Sequence, residues 1–341
     1  MLDDGQFVHG LDKGNALGVI AGQPSQLCQE FDFNFPRPAV EIRNIVLAGM
    51  GGSALAAEFV RAWLGDRLPV PVVISREYAL PGFVDKHTLL IASSYSGNTE
   101  ETLAEEAQRL GAQLVIMSSG GELQKRAEAG QLPFIKLPSG YQPRLAVFFG
   151  VRAIAELLEK TGLAKGLVQE LVAAAEPMIG QASNWIQDTP TSQNQAKQLA
   201  QEIFGNSAVI YSGPTLGFAA HKWKININEN AKNVAFYYEL PEFSHNEFTG
   251  WLFPQTKPIK VIELQSSLDH PQINKRFEIS NRLLSGKMPT PLTVNAAGKT
   301  KLDQLLWTIL LGDFVSAYLA FLNGIDPTPV DLIEKLKKEL K

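Results

Sequence analysis

The stretch from residue 44 to about residue 138 alternates short apolar runs with amphipathic segments, and this alternation strongly constrains the fold. The apolar runs have the length of strands. The segments 54–64 and 100–110 carry apolar residues at three- and four-residue spacing, as helices that pack on a sheet do. This order predicts a parallel sheet with helical crossovers. The predicted strands are 45–48, 70–75, 88–93, 113–118 and 134–137.

The second half of the chain follows the same plan. Residues 145–204 have helical periodicity, broken by a polar, turn-rich segment at 188–193. Strand-like runs at 208–211, 234–239, 260–265 and 291–295 follow, with a Gly213-Pro214 turn before a helical segment at 216–226. We therefore predict an α/β protein with a first domain at 1–160, including an N-terminal extension. A helical linker at 161–194 and a second domain at 195–341, with C-terminal helices, complete the prediction.

The composition limits the class of partner. The 341 residues are 45% hydrophobic, enough to fill two cores, and the net charge is −4. Since the chain has no block of Lys and Arg, a nucleic acid is not the expected partner. A single cysteine excludes an internal disulfide and fits a reducing compartment. With no leader-like N-terminus, these features predict a cytoplasmic protein without a membrane segment.

One apolar segment, 302–322, approaches the length of a membrane span. Asp303, Gln304, Asp313 and Ser316 interrupt it. We expect a buried packing helix or a dimer helix instead.

A loop rich in hydroxyl groups follows the predicted strand 88–93. Residues 93–102 read Ser-Ser-Tyr-Ser-Gly-Asn-Thr-Glu-Glu-Thr. A loop between a strand and a helix presents unpaired N–H groups and the helix dipole to an anion, and Ser94, Ser96 and Thr99 can add donors. The loop has no lysine, so a nucleoside triphosphate site is not indicated, and a sugar monophosphate fits better. From these residues alone, an ordinary N-capped loop is as good an interpretation.

Several motifs in sequence order carry a family resemblance. The hydroxyl loop resembles the phosphate loop of the sugar isomerase (SIS) domain. Together with the motifs below, it resembles the bifunctional phosphoglucose/phosphomannose isomerases over nearly the whole chain. The further motifs are Gly51-Gly52-Ser53, Gln142-Pro143-Arg144, Asn228-Glu229-Asn230-Ala231-Lys232, Pro241-Glu242 followed by His245-Asn246-Glu247, and Asp326-Pro327-Thr328.

The resemblance implies a fold and a reaction. The fold would be two tandem SIS-type, flavodoxin-like, doubly wound parallel-sheet domains. The reaction would interconvert fructose 6-phosphate with glucose 6-phosphate and mannose 6-phosphate through a cis-enediolate, without metal or redox cofactor. The phosphate would be bound by Gly52, Ser53, Ser94, Ser96 and Thr99.

Glu229 is the candidate base. Proton transfer between C1 and C2 needs a group that is ionised before the transfer and protonated after it, and partial burial suits a carboxylate to this task. Glu229 has the apolar neighbours Ile227 and Ala231. By itself it is more readily interpreted as a solvated residue near a helix end. The resemblance implies the role of base.

The resemblance also implies roles for His245 and Arg144. His245 would open the sugar ring, reaching into the site of a partner subunit, so that a homodimer with shared active sites is expected. Arg144, an always-charged planar donor, would stabilise the enediolate. From the residues alone, a structural histidine and a surface ion pair remain open.

The C-terminal segment predicts a helix with Thr328 as N-cap and Pro329 at its first position. In the family, a threonine and a lysine from this element lie over the sugar ring. Thr328 could contact the substrate or only cap the helix. Lys337 borders the apolar stripe of this helix whereas Lys335 points away from it, so Lys337 is the candidate catalytic lysine.

Three other classes of protein compete with the isomerase. A non-catalytic phosphosugar-binding regulatory SIS protein would lack the base and the ring-opening histidine. A dinucleotide-dependent dehydrogenase would explain the short match at Gly49-Met-Gly51-Gly52-Ser53-Ala54, with Arg76 as a phosphate anchor, but not the hydroxyl loop. A metal-dependent isomerase would need clustered His and Glu ligands, and no such spacing is present in the sequence.

Overall fold

The computed structural model of the chain describes residues 1–36, 38, 40–98, 103–252 and 258–340. These residues separate into two compact units. The first, residues 22–177, is called the five-stranded unit, and the second, residues 1–21 with 178–341, the four-stranded unit. The sequence placed residues 1–21 with the first domain, whereas they pack with the second half of the chain. The exact domain bounds stay a prediction.

The strands of the five-stranded unit are all parallel, in the order β2-β1-β3-β4-β5. This is the flavodoxin-like order, in which the chain moves from β1 to one side and then crosses to the other. The strands are β1 (Asn44–Ala48), β2 (Val72–Ser75), β3 (Thr88–Ser93), β4 (Gln113–Ser118) and β5 (Phe134–Lys136).

The strands of the four-stranded unit are parallel too, in the order β7-β6-β8-β9. Counted within their own sheet, they repeat the order second-first-third-fourth of the first sheet. The repeated plan expected from the sequence is therefore present in the topology. The strands are β6 (Ser207–Ser212), β7 (Ala235–Glu239), β8 (Ile259–Gln265) and β9 (Leu292–Asn295).

Helices connect the strands. The described α-helices are α1 (Gly5–Leu11), α2 (Ala16–Gln26), α3 (Gly52–Leu64), α4 (Ala104–Arg109), α5 (Gly121–Gly130), α6 (Val147–Lys160), α7 (Leu167–Ala182), α8 (Gln195–Ile203), α9 (Gly217–Glu229), α10 (Glu247–Gly250), α11 (Pro271–Leu283), α12 (Lys301–Leu322) and α13 (Asp331–Glu339). Short 3₁₀ turns include Gly65–Arg67, Pro143–Leu145, Pro214–Leu216 and Glu242–His245.

The alternation of side chains in β1 explains why both faces of the first sheet are covered. Ile45 and Leu47 face α3 and α6, where they border a small apolar cavity with Ile154. Val46 and Ala48 belong to the core on the other face, which α4 and α5 cover. The doubly wound fold class expected from the sequence is thus confirmed.

Most predicted strands agree with the structure to within two residues. The predicted helix 216–226 is longer, because α9 continues to Glu229. The C-terminal end of α9 is stabilised by Asn226 and Asn230, which are buried and hydrogen-bonded to α12. The predicted cap of the last helix is wrong, since α13 begins at Asp331, beyond Thr328 and Pro329.

Helix α12 is long and apolar enough to cross a membrane, with a mean hydropathy of 1.8, but its apolar window is completely buried inside the protein. It contacts α8 and α9 in the four-stranded unit. The expectation of a buried packing helix is therefore confirmed.

Candidate functional site

In a sheet of this order, ligands bind outside the carboxyl ends of the strands where the chain switches sides, here between β1 and β3. The turn after β1 contains Gly51, Gly52 and Ser53, and the hydroxyl loop follows β3. The two loops are joined directly, since the Tyr95 N–H donates to Ser53 Oγ at 2.8 Å. The structure thus brings together two segments that lie about 40 residues apart in the chain.

The hydroxyl loop turns tightly after β3. The Gly97 N–H donates to both Ser94 O and Ser94 Oγ at 3.0 Å. Gly97 has a φ of +75°, and a Cβ there would lie 1.8 Å from the carbonyl oxygen of Gly120. A side chain at this position would therefore push the loop away from the next βα turn. Ser94 is buried in this turn, whereas Ser96 is exposed.

Tyr95 fixes the loop from the side. Burial raises the pKa of its hydroxyl above the ordinary value, so the group stays protonated and donates to Pro138 O at 2.8 Å. The same hydroxyl accepts from the Tyr141 N–H at 3.1 Å. Tyr95 was not predicted from the sequence to be a structural part of the site, although an aromatic residue among small ones was a visible signal.

Thr99, one of the predicted phosphate ligands, lies outside the described residues. The described chain resumes at Leu103, before α4. The predicted helix 100–110 corresponds to Ala104–Arg109 in the described part.

Arg144 lies beside the first βα turn. It occupies the 3₁₀ turn Pro143–Leu145, and a Cβ on Gly52 would approach Pro143 Cβ to 2.7 Å and Arg144 N to 3.0 Å. Its side chain is 1% exposed, and its guanidinium donates to Gln142 Oε1 at 3.2 Å. Gly52 is required here by this close backbone approach. The five-stranded unit therefore brings the serines and one arginine to the same edge of the sheet.

Glu229, in the four-stranded unit, is the last residue of α9 and is half-buried. Behind it, Lys232 Nζ donates to Asp326 O at 3.0 Å and to Pro327 O at 3.3 Å. This links the end of α9 to the Asp326-Pro327-Thr328 motif, which the sequence identified separately. The two motifs lie 94 residues apart and meet in the fold.

Thr328 does not cap α13. Its N–H donates to Asp326 Oδ1 at 2.8 Å, which closes a local turn, and its side chain faces Gly14, where a Cβ would approach Thr328 Oγ1 to 2.2 Å. Of the two roles considered for Thr328, the structure contradicts the cap. Contact with the substrate stays a prediction.

The choice between Lys337 and Lys335 gains no support from packing. The apolar residues of α13 on which the choice was based are exposed, Leu336 by 60% and Leu340 by 70%. Lys337 pairs with Glu334 at 2.8 Å on this exposed helix. Lys337 as the catalytic lysine stays a prediction.

His245 is exposed at the end of the 3₁₀ turn Glu242–His245, but the residues after it are anchored. Tyr211 on β6 donates to Glu247 Oε1 at 2.7 Å, and Trp251 Nε1 donates to the Tyr211 hydroxyl at 3.0 Å. Burial, reinforced by Glu247, raises the pKa of Tyr211, so this hydroxyl remains a donor. This anchor was not predicted from the sequence, because its members come from distant elements.

Among the described residues, no group of three or more His, Cys, Asp and Glu side chains could hold a metal ion. Arg76, the phosphate anchor of the dehydrogenase alternative, pairs with Glu58 of α3. Two parallel sheets in flavodoxin-like order, with a hydroxyl loop at the switch point of the first, define a SIS-type α/β protein.

Comparison with known proteins agrees with this class. The model of the bacterial phospho-glucose isomerase C-terminal SIS domain matches residues 192–340. A solved structure of a glucose-6-phosphate isomerase like protein from Thermus thermophilus has a TM-score of 0.67 at 17% identity, covering 99% of this chain and 98% of that one. At this identity the likeness concerns the fold.

Relatives of higher identity cover nearly the whole chain. The bifunctional phosphoglucose/phosphomannose isomerase of Aquifex aeolicus is 36% identical over 88% of this chain and 91% of its own, and that of Caldicellulosiruptor bescii is 34% identical over 89% and 91%. A D-glucosamine-6-phosphate 4-epimerase of Sulfolobus acidocaldarius is 35% identical over 86% and 88%. The chain belongs to the bifunctional phosphoglucose/phosphomannose isomerase family.

Proposed function

We propose that the chain is an aldose–ketose isomerase that interconverts fructose 6-phosphate with glucose 6-phosphate and mannose 6-phosphate. The observation that carries this proposal is the full-length similarity to relatives named for both activities. The hydroxyl loop at the switch point supports it, because an anion fits there without a lysine.

The chemistry assigns one task to each candidate residue. Ser53, Ser94, Ser96 and Thr99, with the backbone at Gly52, bind the phosphate. In ring opening, His245, assisted by Lys337, moves the proton of the C1 hydroxyl to the ring oxygen, and the C1–O5 bond breaks.

Glu229 then removes the proton from C2 of the aldose, which leaves a cis-enediolate, and returns it to C1 while the hydroxyl proton moves from O2 to O1, which forms the ketose. The guanidinium of Arg144 stabilises the negative charge that develops on the enediolate oxygens. Return of the proton to either face of C2 gives glucose or mannose 6-phosphate. The proposed reaction needs neither metal nor redox cofactor, because electrons and protons only move between C1 and C2.

The assembly and location predicted from the sequence belong to the proposal. A homodimer in which His245 serves the partner's site accounts for the exposure of this histidine. The cytoplasmic location stays a prediction.

The epimerase relative favours a second candidate function. That protein acts on an amino sugar phosphate at C4, and its identity to this chain lies between those of the two isomerases. The second candidate is therefore epimerisation of D-glucosamine 6-phosphate at C4.

The test is to incubate the wild type with glucose 6-phosphate, mannose 6-phosphate and glucosamine 6-phosphate separately, in EDTA without nicotinamide cofactor. We expect fructose 6-phosphate from the first two sugars and no release from either in Glu229→Gln. Galactosamine 6-phosphate as the sole product would support the epimerase. A folded wild type that binds the sugars without converting any of them would contradict the enzyme and support a regulatory SIS protein.

A further inference from the structure

One face of α9 carries polar side chains where a packing helix normally carries apolar ones. Lys222, Asn226 and Asn230 follow one another at four-residue spacing, so they lie in a row along the helix. Their exposures are 0%, 0% and 1%. The row ends next to Glu229.

The partners of this row lie on α12. Lys222 Nζ donates to Asp313 Oδ1 at 2.8 Å and to Asn226 Oδ1 at 3.0 Å, and Asn226 Nδ2 also donates to Asp313 Oδ1. Asn230 Nδ2 donates to Ser316 Oγ at 2.8 Å. Ser316 Oγ donates to Asp313 O at 2.8 Å, so these bonds form one continuous network, which we call the α9–α12 network, between the two helices over two turns.

The network determines how the two helices are placed more than how strongly they bind. The other contacts of α12 are largely apolar, and apolar contacts have no preferred direction. A buried ion pair adds little net stability, because its desolvation opposes its attraction, but it tolerates few arrangements. The Lys222–Asp313 pair thus favours one rotation and one axial position of α9.

Bonds on both sides of Glu229 transmit this placement to it. Asn226, one turn earlier, and Asn230, the next residue, belong to the network, and the Asn230 N–H donates to Asn226 O at 2.7 Å. Beyond the helix, Asn323 Nδ2 donates to Ala231 O at 2.9 Å. The backbone of Glu229 therefore lies between groups that are tied to α12 and to the segment after it.

We propose that Lys222 and Asp313, through Asn226 and Asn230, are positioning residues for the base Glu229. This inference rests on the proposed function. A base must lie within hydrogen-bond reach of the proton that it removes, and a displacement of about 1 Å costs on the order of 100-fold in rate. Loss of the network lowers turnover without a matching loss of phosphate binding, because the phosphate ligands belong to the other unit.

The test compares four proteins in steady-state isomerisation of glucose 6-phosphate, below their unfolding temperatures. The double variant Lys222→Met/Asp313→Leu replaces the pair by apolar groups of similar size, so that no buried charge is left unpaired. Lys222→Arg keeps the charge. The control Trp223→Phe removes the hydrogen bond from Trp223 Nε1 to Thr308 O, which lies in the same interface outside the network.

We expect the double variant to lose roughly 10- to 100-fold in kcat with KM within about threefold of the wild type. Lys222→Arg should retain most of the wild-type kcat, and Trp223→Phe should retain it even where its melting temperature is lower. A double variant with unchanged kcat, or a control with an equal loss, would overturn the positioning role alone. A wild type without turnover would overturn the proposed function, and this inference with it.

Discussion

The two sheets repeat one topology, but the loops at their switch points carry different groups, a neutral hydroxyl in the first and a carboxylate in the second. In the five-stranded unit, the loops after β1 and β3 meet through Ser53 Oγ and the Tyr95 N–H. In the four-stranded unit, the loops after β6 and β8 meet through the Thr215 N–H, which donates to Asp269 Oδ1 at 3.0 Å. A hydroxyl thus stands at the first switch point, where the second has a carboxylate.

The four-stranded unit supplies its own anions at this point. A Cβ on Gly213 would lie 2.1 Å from Asp269 Oδ2, and a Cβ on Gly217, at the start of α9, would lie 2.5 Å from Glu239 Cδ. Negative charge at a helix start is favourable, so these carboxylates occupy the place where a phosphate could otherwise bind. A repeated fold therefore need not repeat its site, and this unit instead carries the candidate base.

The largest effect is expected when a carboxylate like that of the second switch point is introduced at the first. Ser53→Asp places a carboxylate where we propose that the phosphate binds, and repulsion between like charges should raise KM for glucose 6-phosphate by more than about 100-fold, or ~2.7 kcal/mol. Steady-state kinetics measure this.

The neutral variant Ser53→Asn has nearly the same size and is the control. We expect it to raise KM much less than the aspartate does. Equal KM values for the two variants would show that no anion binds beside residue 53.

Replacement of the two lysines of α13 should lower kcat to extents that differ by about one order of magnitude. If Lys337 assists ring opening, Lys337→Ala lowers kcat roughly 10- to 100-fold, whereas Lys335→Ala stays within about twofold. Measuring kcat for both variants with glucose 6-phosphate decides the matter. The reverse result would assign the role to Lys335.

Removal of a single hydroxyl of the first loop should raise KM about tenfold. Ser96→Ala removes one hydrogen bond to a charged phosphate, about 1.5 kcal/mol, and should appear in KM with little change in kcat. Ser267→Ala is the matched control in the second loop, where Ser267 Oγ accepts from Gln304 Nε2 at 2.8 Å. Equal effects of the two variants would remove the distinction between the loops.

The sequence predicted the parts of the molecule that depend on local patterns. Apolar periodicity located the strands of both sheets, and the family motifs selected residues that meet in pairs, such as Lys232 with the carbonyl of Asp326. The motifs also indicated the switch point between β1 and β3.

Long-range contacts could not be predicted in the same way. The Tyr211–Glu247 anchor and the Lys222–Asp313 pair join residues 36 and 91 positions apart. The cap assigned to Thr328 was wrong because Asp326 closes the turn before the helix and the threonine packs against Gly14. Each of these depends on which distant segment arrives nearby, which local propensity does not contain.

Asp269 should matter for stability and not for the substrate. Asp269→Ala removes the acceptor for the Thr215 N–H, and loss of such a capping bond costs about 1 kcal/mol. The melting temperature should fall by roughly 2–4 °C while KM stays unchanged. A rise in KM equal to that of Ser96→Ala would mean that both switch points bind substrate.

The smallest effect, a change in melting temperature, is expected from Glu263, a buried carboxyl group on β8. Burial raises the pKa of Glu263 above its ordinary value of 4.5, although Asn281 and Gln265 donate to it. The folded state therefore holds this proton more tightly than the unfolded state. The stabilising contribution of this group is fully present below pH 4.5, and it is lost as the pH rises through the pKa of the folded state.

Glu263→Gln should accordingly raise the melting temperature at about pH 7 and change it little at about pH 4. Thermal unfolding at the two pH values measures the difference. A variant destabilised more at the higher pH than at the lower one would contradict the direction of the shift.

The most direct test of the isomerase is the origin of the hydrogen at C2 of the two aldose products. Fructose 6-phosphate is converted in D₂O by the wild type and by Glu229→Gln, and the products are examined by NMR. With the wild type, deuterium is expected at C2 of both glucose 6-phosphate and mannose 6-phosphate, because the proton held on Glu229 exchanges with D₂O in part of the turnovers. The variant should bind fructose 6-phosphate without exchanging its C1 hydrogen. Exchange by the variant at the wild-type rate, or conversion by the wild type over many turnovers without deuterium uptake, would contradict proton transfer by Glu229.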